Sequence, residues 1–311
     1  KLNRPLIERN LKQAEVPDNC TVLPNARGTA PGMWWKKEDV IYVSLPGVPN
    51  EMKGLMQHSV LPKLKENLEL PGVAHRTLLT SGIGESTIAD TIEDFENNLP
   101  SHIKLAYLPA YGQVRLRLTG RGSNKEQLNT ELDAQFEKLK PLVKDWMVAD
   151  KDISLEEAVS QLLKSKNKTV ATAESCTGGY IAHLITSKAG SSSIYNGSIV
   201  SYANEVKENL LGVKPETLQQ YGAVSEQTVI EMVQGVLKAI PTDYAIATSG
   251  IMGPDGGSPE KPVGTVWIAV GNKEKVKASQ HFFRYDRTRN IEMTAQMALT
   301  LLRRFILETA D

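Results

Sequence analysis

The chain has 311 residues and balances 36 Lys+Arg against 36 Asp+Glu, so net charge draws it toward neither nucleic acid nor an anionic membrane. A composition of 41% hydrophobic and 23% charged residues excludes a disordered or fibrous chain, and no apolar run approaches the roughly 20 residues of a membrane span. Two distant cysteines, Cys20 and Cys176, make neither a disulfide framework nor a zinc-ligand spacing, so a reducing, cytoplasmic setting with no metal is expected.

At this length two or three domains are expected, and three blocks emerge: 1–72, 73–150 and 151–311. The first residues, Lys-Leu-Asn-Arg-Pro, carry neither Met nor a signal-peptide pattern and read as an interior position. In the first block, Asp39–Leu45 is a β-branched and aromatic strand. Pro46-Gly47 turns the chain, and Pro49 suits the first turn of a helix that meets a break at Pro62. The second block reads strand, helix, strand, strand, helix, a small α+β sheet with helices on one face. Its Arg115, Arg117 and Arg121 are expected on a solvated strand surface. The third block opens with a capping box at Ser154 and Glu157, then alternates strands and helices to the end, a layered α/β pattern.

Within the third block, Glu174-Ser-Cys-Thr-Gly-Gly179 separates a strand from a helix. Such a turn aims backbone N–H groups at one point, suited to an anion or a developing oxyanion, and Gly178 and Gly179 open the backbone to a ligand. Ser175 can equally be an N-cap, with Gly-Gly serving close packing. A second glycine-rich loop, Gly250–Gly257, also follows a strand, and in an open α/β sheet two such loops face one crevice. Neither a Walker A sequence nor a G-x-S-x-G elbow occurs here. His183 lies eight residues past Ser175 and points away from it, so a serine nucleophile needs another base.

The segments AESCTGG, SYANEVKENLLGV, YGAVSEQTV and SGIMGPDGGSPEKPVGTVW resemble the C-terminal domain of the CinA family, which is similar to nicotinamide-nucleotide amidases. The resemblance implies hydrolysis of nicotinamide mononucleotide to nicotinic acid mononucleotide and ammonia, a step in pyridine-nucleotide (NAD) salvage. It places Ser175, Tyr202 and Lys207 as the catalytic residues. Neutral Lys207 would take the Ser175 proton, Tyr202 would relay it or hold the lysine, and no cofactor is needed. Substrate-binding residues are expected at Glu174, Cys176, Thr177, Gly178, Gly179, Asn204, Ser249, Gly250, Gly253 and Arg287. Glu174 also reads as an orienting or structural carboxylate, Cys176 as core packing, and Arg287 as part of a charged loop before a helix. Met252 stands where many relatives have Ala.

Asn25–Met33 and Leu45–Met52 resemble the second half of a molybdopterin-binding-like α/β domain. That resemblance implies a partial nucleotide site at Asn25, Gly28, Thr29, Pro31, Gly47, Pro49 and Glu51. A divalent metal would enter only for a complete ADP-ribose pyrophosphatase site there. Residues 73–150 resemble the family's KH-like middle domain, although Gly82-Ile-Gly84 is not the G-x-x-G clamp of nucleic-acid binders. A homodimer acting on a small nucleotide, without nucleic acid or membrane, is expected. The alternatives are the pyrophosphatase reaction and a non-catalytic nucleotide-binding protein.

Overall fold

The computed structural model describes residues 15–68 and 71–309, and the chain divides at Gly72 into two compact units. In the first, β1 (Thr21–Leu23), β2 (Gly32–Lys37) and β3 (Val40–Ser44) form an antiparallel sheet in that order. β2 alternates its two tryptophans. Trp34 is buried with Leu23, Leu55 and Val60, while the Trp35 indole donates to Asn19 Oδ1 at 3.1 Å. α1 (Pro49–Leu55) starts on its proline and passes through a π-helical turn, Met56–Val60, into α2 (Leu61–Asn67). The break expected at Pro62 is therefore absent. Proline offers no N–H to the carbonyl four residues back, and a locally widened helix carries the chain past that gap.

The second unit holds two sheets, and the boundary expected near residue 150 lies inside it. The elements of its first sheet are β4 (Gly72–Ser81), α3 (Glu85–Asn97), β5 (Ile103–Ala110), β6 (Gln113–Gly122), α4 (Lys125–Leu142) and β7 (Met147–Ala149). The strand order is β5-β6-β4-β7. Leu78, Ile88, Leu116, Leu132 and Phe136 fill the core between sheet and helices. Arg115 and Arg117, expected in solvent, instead bracket Asp152. Arg115 Nε lies 3.2 Å and Arg117 Nη2 2.8 Å from its carboxylate, and Arg117 Nε donates to Thr77 Oγ1. The reason is local: Asp152 begins the segment leading into the next helix, and a carboxylate between two guanidinium groups ties that segment to β6.

The rest of the unit comprises α5 (Leu155–Ser165), β8 (Val170–Glu174), α6 (Tyr180–Thr186), β9 (Tyr195–Val200), α7 (Asn204–Leu211), α8 (Pro215–Tyr221), α9 (Glu226–Ala239), β10 (Tyr244–Gly250), β11 (Thr265–Gly271), β12 (Val276–Phe282) and α10 (Arg287–Thr309). Ser154 Oγ accepts from the Glu157 N–H and starts α5. The five strands run β12-β11-β10-β8-β9, with β9, β8 and β10 parallel and β11 and β12 antiparallel. Alternation along the strands divides two cores. Val170, Ile246 and Ile268 face α5, α6 and α10, whereas Ala171, Ala173, Ala245, Ala247 and Ala269 face α9. Alanine on the second face lets α9 lie close to the sheet, and Gly235 on α9 lets α7 lie close to α9. A Cβ at Gly235 would come 1.9 Å from the Leu211 carbonyl oxygen. That packing holds α7, the helix bearing Lys207, against α9.

Candidate active site

β8 and β10 are adjacent and parallel, so their C-terminal ends deliver the two glycine-rich loops to one place. The N–H of Ser175 donates to Thr248 O at 3.0 Å, and the N–H of Ser201, just past β9, donates to Glu174 O at 2.8 Å. Three serines therefore stand side by side where three parallel strands end: Ser201, Ser175 and Ser249. A cavity of about 200 Å³ opens above them, lined by Ser175, Cys176, Tyr202, Asn204, Lys207, Ala223, Val224, Ser249, Gly250, Met252 and Arg287. No carboxylate is among these lining residues.

The turn after β8 needs its glycines. Gly178 has φ 60° and Gly179 φ 96°, two consecutive left-handed positions that side chains resist. Much of the anion-binding capacity expected of this turn is already used from within. The Glu174 carboxylate, fully buried, accepts the N–H groups of Gly179 and Ile181 at 3.0 Å and of Ala182 at 2.8 Å, together with the Thr177 hydroxyl at 2.7 Å. Glu174 thus belongs to the frame of the turn rather than to the substrate wall, and Thr177 and Gly179 bond to it. Gly178 N–H is taken by Ser175 O. Among the described residues no main-chain carbonyl accepts from the N–H groups of Cys176 and Thr177, and N–H groups so placed suit an oxyanion.

Lys207 is 1% exposed, and its Nζ donates to Ser201 O at 2.7 Å and Tyr202 O at 3.2 Å. Burial lowers its pKa from the ordinary lysine value, and among the described residues its Nζ bonds two main-chain carbonyls and no carboxylate. Cys176 is packed into the core on the α6 side, where burial pushes its thiol up to about 12, so it stays protonated at neutral pH. Tyr202, expected to relay the proton or to hold the lysine, meets Lys207 through its main chain. Its ring is 64% exposed and its hydroxyl accepts from Arg287 Nη2 at 3.0 Å, while its main-chain carbonyl is what holds Lys207. Arg287 also donates to Gly253 O at 2.8 Å, spanning from the second loop to Tyr202 at the cavity rim. Ser249 Oγ donates to Ala223 O and is thereby occupied.

Sequence reasoning did not single out Ser201, Ala223, Val224 or Asn290. Asn290, fully buried, donates to Met252 O and Tyr285 O and so fixes the second loop against α10. Neither His183 nor His281 lines the cavity. In the first unit, Asn25 Nδ2 donates to Glu51 Oε2 at 2.6 Å and to Ala30 O at 2.8 Å. Gly28 lies against the Glu51 carboxylate so closely that a Cβ there would meet it at 2.1 Å. Thr29 and Pro31 share that loop, and Gly47 and Pro49 form the entry to α1. Among the described residues no group of three or more His, Cys, Asp or Glu is placed to hold a metal, and no helix is long and apolar enough to cross a membrane.

Residues 152–306 match the CinA C-terminal domain, and residues 75–149 match the KH domain of damage-inducible protein CinA. A CinA-like protein of Cytophaga hutchinsonii is 49% identical over 299 residues, covering 96% of this chain and 72% of its own length. Another from Flavobacterium psychrophilum is 45% identical over 306 residues, covering 98% of this chain and 73% of its own. The crystal structure of competence damage-inducible protein A from Klebsiella pneumoniae is 34% identical, covers 50% of this chain and 97% of that one, and superposes with a TM-score of 0.49. The chain, a multidomain α/β protein with a KH domain ahead of its C-terminal domain, belongs to the CinA family.

Proposed function

We propose that this cavity is the active site of an amidohydrolase that releases ammonia from nicotinamide mononucleotide. The observation that carries the reading is Lys207, a lysine buried without a carboxylate in the same 200 Å³ cavity as Ser175. An ordinary lysine is about 3.4 pH units above neutrality, so presenting its free amine at pH 7 costs about 4.6 kcal/mol, and desolvation of the ammonium reduces that cost. Lys207 then accepts the Ser175 proton as Oγ attacks the carboxamide carbon. The N–H groups of Cys176 and Thr177 receive the oxyanion, and collapse expels ammonia. Water then hydrolyses the Ser175 ester by the same steps in reverse. Arg287, the other cation lining the cavity, suits the nucleotide phosphate, and the reaction uses no cofactor.

The test is an ammonia-coupled assay of the full chain with nicotinamide mononucleotide, run beside AMP and phosphate release from ADP-ribose. Ammonia that disappears in Ser175→Ala supports the reading. AMP release with no ammonia would move the activity to the first unit, and neither product would leave a binding protein.

A further inference from the structure

The C-terminal half of α10 meets the four-stranded sheet around a second cavity, of about 260 Å³, which shares no lining residue with the Ser175 cavity. The sheet side contributes Ser81, Trp146 and Val148, and α10 contributes Thr300, Arg303 and Arg304. Arg303 is half-buried, yet among the described residues its guanidinium bonds one main-chain carbonyl, Val148 O at 3.0 Å, and no carboxylate. That bond uses one of five N–H donors. Burial and the neighbouring charge of Arg304 both lower its pKa, so its surroundings disfavour a charge that a guanidinium cannot shed. Arg304 is seated by the loop after β4. Gly82 has φ 76°, and a Cβ there would come 2.7 Å from Arg304 Nη2. The Gly82-Ile-Gly84 turn thus makes room for a guanidinium beside the cavity. Lys144, from the turn after α4, is the third cation of the lining. Of the two carboxylates there, Glu308 accepts from Lys277, outside the lining, and Asp145 is exposed.

We propose that this cavity is a binding site for the phosphoryl group of a small metabolite, with Arg303 as its principal ligand and Arg304 and Lys144 adding charge. The site stands apart from Ser175 and does not depend on the amidohydrolase reading. A half-buried guanidinium without a carboxylate destabilises the empty protein, and an arriving oxyanion removes that penalty. Phosphate is the oxyanion that suits it, because its oxygens match the forked N–H groups of arginine and its second charge answers a second cation. The cavity, at about 260 Å³, holds more than four oxygens around one phosphorus, so a sugar phosphate fits as well as inorganic phosphate. Because the lining comes half from the sheet side and half from α10, the bound anion bonds across the seam between them. Occupancy therefore fastens the KH domain to the last helix of the C-terminal domain.

The test is a calorimetric titration of the full chain with inorganic phosphate near neutral pH, at ionic strength held constant with sodium chloride, beside melting curves in the same buffers. It is run in an Arg287→Gln background, so that phosphate held at the Ser175 cavity does not contribute. Phosphate should bind and raise Tm, and Arg303→Gln in that background should weaken binding by at least about tenfold. In phosphate-free buffer the same substitution should leave Tm equal or higher, because it removes an unpaired charge, whereas a merely structural arginine would lower it. Ribose 5-phosphate is the second probe. Tighter binding than phosphate, lost with Arg303, identifies a sugar phosphate, and equal affinity identifies phosphate alone. Phosphate that raises Tm no more than chloride does, or that binds Arg303→Gln as tightly as its parent, overturns the site. If Arg303→Gln does not fold, Arg304→Gln and Lys144→Gln, both at exposed positions, decide the matter. Each should weaken phosphate by about threefold, and unchanged affinity in both overturns the proposal.

Discussion

Ser175 and Cys176 are neighbours, and their environments assign them opposite chemistry. The thiol is the stronger nucleophile in isolation, but burial keeps it protonated at neutral pH. Cys176→Ala should therefore retain ammonia release within about threefold, while Ser175→Ala should lose it by at least about 10³-fold. Iodoacetamide should label Cys20 before Cys176, as a peptide map of the native protein would show. Lys207→Arg tests the base. Guanidinium stays protonated, so this variant should fail nearly as badly as Lys207→Ala in the same assay. Ser175, Lys207 and Tyr202 were legible because they lie in family segments that could be matched one residue at a time. Glu174 was legible as an orienting or structural carboxylate, but not the partners it takes. That its carboxylate turns inward to the following helix depends on the two left-handed glycines that bring those N–H groups back to it. Ser201 and Asn290 were not legible, because a serine after a strand and an asparagine in a first helical turn are ordinary in any sequence.

Among the elements, the turn after β8 and the α7–α9 contact bear most directly on the cavity. Glu174→Gln keeps the shape but sets an amide donor against backbone donors, and it should lower stability by about 3 kcal/mol, read as a lower urea midpoint. Gly235→Ala places a methyl group against the Leu211 main chain, which has no soft side chain to give way. It should destabilise by about 1–3 kcal/mol and reduce kcat beyond what unfolding explains, since α7 must move and Lys207 with it. A Gly235→Ala enzyme of unchanged kcat would show that the lysine does not depend on this packing. Strongly periodic helices such as α5 and α9 were readable from sequence. β7, with three residues, is too short to show a period. β12 lies at the sheet edge and mixes Lys277, Ser279 and His281 with Val276 and Phe282, so it lacks the apolar alternation of a half-buried strand. The π-helical turn was hidden because Pro62 reads as a stop, whereas Leu55 before it and Val60 within it pack into one core.

At the scale of the whole molecule, the buried lysine is a stability cost that changes with pH. Its folded-state pKa lies below its unfolded value near 10.5, so between the two the unfolded chain binds the extra proton. Wild-type stability should therefore rise with pH relative to Lys207→Met across that interval and level off above about 10.5. Urea titrations of both proteins from pH 7 to pH 11 measure this, and parallel curves would mean the ammonium is not disfavoured by burial. The same deprotonation should appear as an ascending limb in kcat/KM below the ordinary lysine value. The two sheets of the second unit share more than a linker. Ser81 Oγ and Thr300 Oγ1 are 2.7 Å apart, and Arg303 donates to Val148 O. Leu78 belongs to the core of the four-stranded sheet, whereas the next residue, Leu79, belongs to the core beneath the five-stranded one. One strand is thus a wall common to two interiors, and neither core can open while leaving β4 intact for the other. Amide hydrogens of Leu78 and Leu79 should exchange with solvent water at one common rate, set by global rather than local opening. A piece of the chain beginning at residue 151 would lose the leucine that plugs its own core.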